Sequence, residues 1–279
     1  MNDFYTITRG NGGVIAWTDD QVAYILDRYI NQNYTLKQLG REFNCSYGTI
    51  RNLLHKHHCK SRGCKQGYPR DEFYFHCVDT SEKAYWLGFL YADGTVASHT
   101  SAIGMTLTDE EHVEKFKTAI GAANHKIVAE HSKNFPNAKT LYHLEVKDKQ
   151  LHKDLVELGC IPNKSLNLTK IPNIPRDYVS HFIRGYFDGD GSLHYLKGTN
   201  NYRISFVGTF NFLNDIQKEL QTNVSLHYGS SGKAYMLQIS GRKQVERVLN
   251  YIYQDSTESM RLNRKYQTYL DCLQWAHRN

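Results

Sequence analysis

A twelve-residue motif occurs twice in this chain, and its repetition constrains the fold more than any other feature of the sequence. The first copy, YWLGFLYADGTV, covers residues 85–96, and the second, FIRGYFDGDGSL, covers residues 182–193. Each copy is an apolar run of helical character that ends in Asp-Gly and continues into a strand-like segment. Such an internal repeat indicates two related structural units that share an interface.

The residues after each copy also repeat. Two strand-like runs come first, then a helix, then two further strands, then a last helix. The runs are 95–98, 101–108, helix 110–120 and helix 149–158 after the first copy, and 192–196, 202–207, helix 210–220 and helix 242–253 after the second. This order predicts an α+β protein with two pseudo-symmetric αββαββα half-domains, at 82–170 and 176–279.

Small residues lie four positions apart in each motif. Gly88 and Ala92 share one helical face in the first copy, as Gly185 and Gly189 do in the second. Small residues at this spacing allow two helix backbones to approach closely. The two motif helices are therefore predicted to pack against each other.

An Asp-Gly pair ends each motif. Gly94 and Gly191 are expected to adopt the left-handed conformation that terminates a helix, which places Asp93 and Asp190 at two helix C-termini. Because the helix dipole is negative there, two neighbouring carboxylates need a cation, and oxygen ligands suit a hard ion such as Mg²⁺. Two ordinary Asp-Gly turns are the alternative, but it leaves the matched positions unexplained.

The segments WLGFLYADG and IRGYFDGDG resemble the paired signature of LAGLIDADG homing endonucleases, and the resemblance extends over about residues 82–279. It implies a monomer in which the motif helices form the central interface and two four-stranded sheets form a saddle over double-stranded DNA. It also implies site-specific double-strand cleavage with Mg²⁺ or Mn²⁺, with Ca²⁺ as a non-catalytic substitute. Asp93 and Asp190 would be the metal-binding catalytic carboxylates, with the carbonyls of Ala92 and Gly189 facing the metals. Tyr91 departs from the family pattern, which often has an acidic residue there, but this position is not a metal ligand in the family.

The resemblance further implies one basic residue from each half near the metal-bound water. The segment LGCIPNKSLNL offers Lys164 in the first half, and SMRLNRKYQTYL offers Lys265 in the second, with Arg264 as its alternative. Each could instead be a solvated surface charge or a phosphate contact.

Alternate strand residues would face the DNA groove if the sheets lie over DNA as the resemblance implies. The outward candidates in the second half are Ser192, His194, Arg203, Ser205, Thr209, His227 and Gln238. Those in the first half are Ser98, Thr106, Lys126, Glu130, His143 and Lys147. Polar residues are expected on the open face of any such sheet, so each candidate alone is weak.

The N-terminal segment predicts a small all-α domain. After a flexible stretch at 1–15, three helical runs follow potential caps at Thr18, Thr35 and Ser46, with a tight turn at Cys45-Ser46. This pattern predicts a helix-turn-helix DNA-binding domain at 16–58. The residues that would face the groove are Tyr47, Thr49, Arg51 and Asn52. A three-helix packing or protein-binding module is the alternative.

Residues 59–81 are predicted to form a basic linker that follows the phosphate backbone. Lys60 and Arg62, with Lys56 just before them, are its candidate DNA contacts. Scattered histidines and cysteines between His55 and Cys77 suggest zinc, but their spacing matches no standard paired-ligand pattern, so zinc stays open.

Charge and hydropathy agree with this organisation. The net charge of +6 suits a polyanionic partner, and 40% hydrophobic residues suffice for a core. No long apolar run or secretory h-region is evident, so we expect a cytoplasmic protein without a membrane partner. The family resemblance implies a bacterial or phage origin, with an organellar origin as the alternative. Two other functions remain open: an intron RNA maturase, and a non-cleaving transcription regulator. Retention of both aspartates argues against the regulator more than against the maturase.

Overall fold

The chain forms two compact units, Met1–Gly67 and Tyr68–Asn279. A computed structural model describes residues 3–9, 15–32, 34–57, 70–131, 137–164, 167–229 and 234–278. None of the described helices is long and apolar enough to cross a bilayer.

Three helices build the N-terminal unit: α1 (Asp19–Ile30), α2 (Leu36–Glu42) and α3 (Tyr47–Lys56). The predicted caps are confirmed, because the hydroxyls of Thr18, Thr35 and Ser46 each accept a hydrogen bond from a backbone N–H in the first turn. Apolar residues from all three helices are buried between them, namely Ile25, Leu39, Phe43, Ile50, Leu53 and Leu54.

The start of the chain differs from its prediction. Strand β1 (Thr8–Arg9) pairs with β2 (Ile15–Ala16), so the unit is not purely helical. Gln21 Nε2 donates to the carbonyls of Phe4 (2.7 Å) and Thr6 (3.1 Å). The Phe4 ring also lies edge-on to Tyr24, at 5.3 Å between centroids. The prediction of a flexible stretch is therefore wrong for residues 3–9, because these contacts hold them against α1.

The second unit contains both predicted half-domains, which confirms the α+β fold. The first half consists of α4 (Ser81–Asp93), β3 (Gly94–Val96), β4 (Ala102–Leu107), α5 (Glu110–Ala119), β5 (Val128–Glu130), β6 (Leu141–Lys147) and α6 (Lys149–Glu157). The second consists of α7 (Val179–Asp190), β7 (Ser192–Leu196), β8 (Asn201–Gly208), α8 (Phe210–Glu219), β9 (Leu226–Tyr228), β10 (Tyr235–Ser240) and α9 (Arg242–Tyr253), followed by α10 (Asn263–Arg278). The strand orders are β3-β4-β6-β5 and β7-β8-β10-β9, and all pairings are antiparallel.

Helices α4 and α7 pack directly on each other through their glycines. A Cβ added to Gly88 would lie 1.9 Å from the carbonyl oxygen of Phe182. A Cβ added to Gly189 would lie 2.3 Å from the Cβ of Ala92. Backbone therefore meets backbone at this crossing, and the predicted small-residue faces are confirmed.

The two glycines that end the motif helices do not adopt the predicted left-handed conformation. Gly94 has φ −74° and ψ 156°, and Gly191 has φ −79° and ψ 164°, which are extended values. A Cβ added to Gly94 would lie 2.6 Å from the Cα of Leu90, and a Cβ added to Gly191 would lie 2.2 Å from Cδ2 of Phe187. Glycine is thus required here for space, where the chain passes directly from helix to strand.

The described part of the predicted linker belongs to the folded unit. Phe75 is fully buried, and Tyr74 and Val78 are nearly so, within the same core as the motif helices. Arg70 donates to Oδ2 of Asp148, the N-cap of α6, through Nε at 2.7 Å and through a second guanidinium nitrogen. The linker prediction is therefore wrong for residues 70–80, because this aromatic stretch packs on the first half-domain. Residues 58–69 lie outside the described residues.

Candidate functional site

Asp93 and Asp190 lie side by side where α4 and α7 end. Cγ of Asp93 is 3.5 Å from the position that a Cβ on Gly189 would take, immediately before Asp190. Both aspartates are exposed. In the described ranges no hydrogen bond or ion pair engages either carboxylate, so their oxygens are available to a ligand.

A lysine from each half reaches the same region. Lys164 Nζ donates to the carbonyl of Gly94, and Lys265 Nζ donates to the equivalent carbonyl of Gly191 at 2.6 Å. Lys265 also donates to the carbonyl of Phe187 at 2.6 Å. Each lysine side chain is largely buried, with a residue exposure of 8%. Carbonyls at a helix C-terminus lack intrahelical partners, so each lysine also satisfies the end of a motif helix.

Arg264, the alternative to Lys265, pairs with a different carboxylate. Its side chain is 57% exposed, and its Nε lies 3.1 Å from Oδ2 of Asp109, just before α5. Lys265, whose ammonium lies on the carbonyls at the end of α7, is therefore better placed than Arg264 for the predicted role, although the charge of Arg264 also lowers the pKa of Asp93.

Loss of hydration disfavours ionisation of both aspartates, and the charge of Asp93 adds to this effect at Asp190. The pKa of Asp190 is raised to about 6, first by loss of hydration and then by the charge of Asp93, while Lys164 and Lys265 oppose the rise. Loss of hydration also raises the pKa of Asp93. Burial lowers the pKa of Lys265 to about 8, against the opposing effect of Asp188. A cation bound at this site would therefore lower the pKa of both aspartates and favour their ionised forms.

The donor atoms at this site suit a hard divalent cation. Two carboxylates are available, and the carbonyl of Gly189 faces the cluster, where it lies 3.2 Å from Lys265 Nζ. Ala92 lies in the last turn of α4, where carbonyls have no partner within the helix. Among the described residues, no three His, Cys, Asp or Glu side chains converge on a metal position. Carbonyl and water oxygens would thus complete the shell around a cation, as is common for Mg²⁺.

Of the histidines and cysteines that suggested zinc, His58, Cys59 and Cys64 lie outside the described residues, as do Lys60 and Arg62. Of the described ones, Cys77 is exposed, and Nδ1 of His76 lies 3.6 Å from Oδ1 of Asp154. The zinc interpretation therefore stays a prediction.

The sheet of the second half carries a polar row on its outward face. The strand register aligns Ser192 with Ser205 and Gln238, and His194 with Arg203. His194 is exposed, and Arg203 and Gln238 are half-buried. His227 on the edge strand is also exposed.

Two candidates of this half are less available to a partner. Ser205 is only 5% exposed, in a strand that pairs with a neighbour on each side. Thr209 follows the strand and caps α8, while its hydroxyl donates to the carbonyl of Leu168. Ser205 is therefore poorly placed to reach a groove, and the groove contact of Thr209 stays a prediction.

The outward face of the first half is less basic. Thr106 and His143 pair across the strands at 2.8 Å, and Lys147 lies 3.1 Å from Glu145. Lys126 is exposed just before β5, and Ser98 and Glu130 are also exposed. Thr95, opposite Glu145 across β4, is an exposed outward residue that the sequence analysis missed.

Most of the predicted groove residues of α3 are accessible. Tyr47 is 50% exposed, and Arg51, Asn52 and Lys56 are exposed as well. Thr49 is half-buried and hydrogen-bonded to the cap residue, with its Oγ1 2.9 Å from Oγ of Ser46. These exposed polar side chains of α3 are therefore accessible to a binding partner.

A buried polar network beside the site was also missed. Asp188 is fully buried and accepts hydrogen bonds from Tyr85 Oη (2.9 Å), Tyr253 Oη (2.7 Å) and the backbone N–H of Leu262 (2.8 Å). The sequence signal for it was a charged residue within an otherwise buried helical run.

Arg184 gives a similar signal one turn earlier on α7. It is fully buried, and its guanidinium donates to the carbonyls of Ile252 and Met260, each at 2.8 Å. It therefore holds the segment between α9 and α10 against the motif helix.

Comparison with known proteins gives distant similarities, and no family model matches the chain. An uncharacterized protein of Methanocaldococcus jannaschii is 27% identical over 133 residues, which is 46% of this chain and 47% of that protein. Elongation factor 2 of Methanopyrus kandleri is 32% identical over 88 residues, which is 31% of this chain and 7% of that protein. The similarity thus spans about half of the first relative and a small part of the second.

Several solved structures are also similar. The LAGLIDADG meganuclease I-AabMI bound to uncleaved DNA has a TM-score of 0.46 and 14% identity, over 69% of this chain and 90% of that chain. The homing endonuclease I-WcaI bound to its DNA recognition sequence has a TM-score of 0.48 and 14% identity, over 70% and 90% of the two chains. The LAGLIDADG homing endonuclease I-SmaMI bound to cleaved DNA has a TM-score of 0.45 and 13% identity, over 69% and 88%. I-AabMI and I-SmaMI bear the name of the family that the two motifs resemble.

Proposed function

We propose that this chain is a site-specific, metal-dependent DNA endonuclease of the LAGLIDADG type. The observation that carries the proposal is the juxtaposition of Asp93 and Asp190 at the ends of two close-packed helices, with Lys164 and Lys265 on the neighbouring carbonyls. Two carboxylates with free oxygens, flanked by two lysine ammonium groups, form a site that suits metal-assisted phosphodiester hydrolysis. DNA complexes of I-AabMI and I-WcaI agree with this substrate, but the proposal rests on the residues of this chain.

Hydrolysis of a phosphodiester needs an activated water, neutralised charge on the phosphate, and a stabilised leaving oxygen. Asp93 and Asp190 would hold a divalent cation, which would supply Lewis-acid chemistry for these needs. Lys164 and Lys265 place positive charge beside the carboxylates, where the phosphate would add negative charge in the transition state. The Gly189 carbonyl faces the same cluster and is the backbone atom best placed to assist the carboxylates.

The outward sheet faces would position the duplex over this site. Arg203, His194 and Gln238 in the second half can hydrogen-bond base edges or phosphates. His143 and the lysines Lys126 and Lys147 do the same in the first. We further propose that α3 binds DNA through Arg51 and Asn52 as an additional recognition element.

The experiment that tests the proposal is digestion of a randomised duplex DNA library with the full-length chain. Parallel reactions contain Mg²⁺ or EDTA, and the ends produced are sequenced. The proposal predicts ends that share one sequence and appear only with Mg²⁺.

The other outcomes identify the alternatives. Selective retention of duplexes without any cut would indicate a non-cleaving DNA-binding protein. Failure to bind duplex DNA, with assisted splicing of an intron RNA, would indicate a maturase.

A further inference from the structure

We infer that Asp188 and Tyr91 are positioning residues, each of which fixes the lysine of its own half at the paired aspartates. The two occupy matched places in the repeated motif, two residues before Asp190 and Asp93. They differ chemically, since one is a carboxylate and the other a phenol. The inference rests on the proposed function, and it assigns a role to two residues that take no part in metal binding.

In the second half the connection is short. Asp188 Oδ2 accepts the backbone N–H of Leu262 at 2.8 Å. The carbonyl of Leu262 in turn accepts the backbone N–H of Lys265 at 3.0 Å, in the first turn of α10. Asp188 therefore holds Leu262 in place, and Leu262 in turn holds the backbone of Lys265 in the first turn of α10. The hydroxyl of Tyr253 holds the other carboxylate oxygen of Asp188 at 2.7 Å.

In the first half the connection runs through the end of α6. Tyr91 Oη donates to the carbonyl of Leu158 at 2.5 Å. A Cβ on the next residue, Gly159 (φ 92°), would lie 2.4 Å from that same Oη. Cys160 then contacts the carbonyl of Leu90 through Sγ at 3.6 Å. The segment that leads to Lys164 is therefore held against α4 from its first residue.

This arrangement has a consequence for each DNA strand. The two strands of a duplex are related by a local two-fold axis, as the two halves of the protein are. Each lysine would therefore serve the phosphate of one strand. Loosening one lysine should slow the cut in one strand, whereas a general structural defect would slow both.

The first test needs no DNA. Native full-length protein is acetylated with an N-hydroxysuccinimide ester, and labelled lysines are mapped by peptide mass spectrometry. Asp188→Asn should raise labelling of Lys265 several-fold and leave Lys164 protected. Tyr91→Phe should do the reverse. If Asp188→Asn folds poorly, Tyr253→Phe replaces it, because this variant keeps Asp188 and removes only one of its hydrogen-bond donors. Tyr253→Phe should raise the labelling of Lys265 by a smaller factor.

The second test uses a duplex that the wild-type protein cuts, labelled on either strand. Asp188→Asn and Lys265→Met should slow cleavage of the same strand at least tenfold more than the other. Tyr91→Phe and Lys164→Met should affect the opposite strand. Nicked product should accumulate in both cases.

Equal labelling of both lysines in each variant, or equal slowing of both strands, would overturn the inference, because either indicates a loosened core. A chain that cuts no duplex at all contradicts the proposed function, whereas the labelling pattern still decides whether the two residues hold the lysines.

Discussion

Gly185 lies directly against Tyr85, so that a Cβ added to the glycine would be 2.0 Å from the tyrosine carbonyl oxygen. The contact joins α7 to α4, and it brings the C-terminal ends of both helices to one place. The position of the paired aspartates therefore depends on a backbone contact at the centre of the molecule.

Gly185→Ala should lower the free energy of unfolding by about 3 kcal/mol, because the new methyl group meets rigid backbone that cannot yield without separating the helices. Urea denaturation monitored by tryptophan fluorescence measures this change. Gly198→Ala is the matched control, since a Cβ there has no atom within 4 Å. Equal stability of the two variants would show that the helices do not meet at Gly185.

His112 should make the protein sensitive to acid. It is buried against the motif helix, with Nε2 3.1 Å from Tyr85 Oη, and burial lowers its pKa to about 3 from 6.5. Below pH 6.5 the unfolded chain therefore binds a proton at His112 that the folded chain does not bind. The contribution of neutral His112 to the free energy of unfolding is complete above pH 6.5 and is lost as the pH falls toward 3. Between pH 6.5 and 5 the loss is about 2 kcal/mol.

His112→Gln should lose less stability than the wild type between pH 7.5 and pH 5, as measured by urea denaturation at both values. His99→Gln, at an exposed loop position, is the control and should match the wild type. An unchanged pH dependence in His112→Gln would mean that this histidine accepts protons freely in the folded state.

Arg51 should contribute one phosphate or base contact from α3. Arg51→Ala in the full-length chain should weaken duplex binding and reduce the slope of log Kd against log salt by about 1, because one fewer counterion is released. Arg176→Ala is the control, since Arg176 pairs with Glu219 near the N-terminal end of α7, away from Asp190. An identical salt slope in Arg51→Ala and the wild type would remove α3 from the DNA interface.

A divalent cation should stabilise the protein without any DNA. Because Asp93 and Asp190 repel each other when ionised, millimolar Mg²⁺ or Ca²⁺ at pH 7.5 should raise the melting temperature. The rise should be absent from Asp93→Asn and from Asp190→Asn. A metal-induced shift that persists in both variants would place the cation elsewhere.

The repeat made much of this fold predictable from sequence. Periodicity and repetition are local signals, so the strand and helix order, the facing glycines, and the placement of Asp93 and Asp190 at helix ends could all be derived. Gly94 and Gly191 were misjudged because a glycine chosen for space has the same sequence signature as one chosen for positive φ.

Features that depend on tertiary packing could not be derived. Lys265 and Arg264 are adjacent in sequence, but one residue turns a helix by about 100°, which decides which of them reaches the aspartates. Ser205 has the alternation of an outward residue, yet it is buried in the folded protein. The partners of Asp188 come from three distant segments, so only its charge within an apolar run was visible.

The most direct test of the central claim is strand-resolved cleavage of a duplex selected from the randomised library, in Mg²⁺, by the wild type, Asp190→Asn and Asp177→Asn. Asp177 is exposed near the opposite end of α7 and serves as the matched control. The wild type and Asp177→Asn should cut both strands at equal rates, while Asp190→Asn should bind the duplex with similar affinity and cut it at least a hundredfold more slowly. Double-strand cleavage by Asp190→Asn at the wild-type rate would contradict the assignment of the paired aspartates as the catalytic centre.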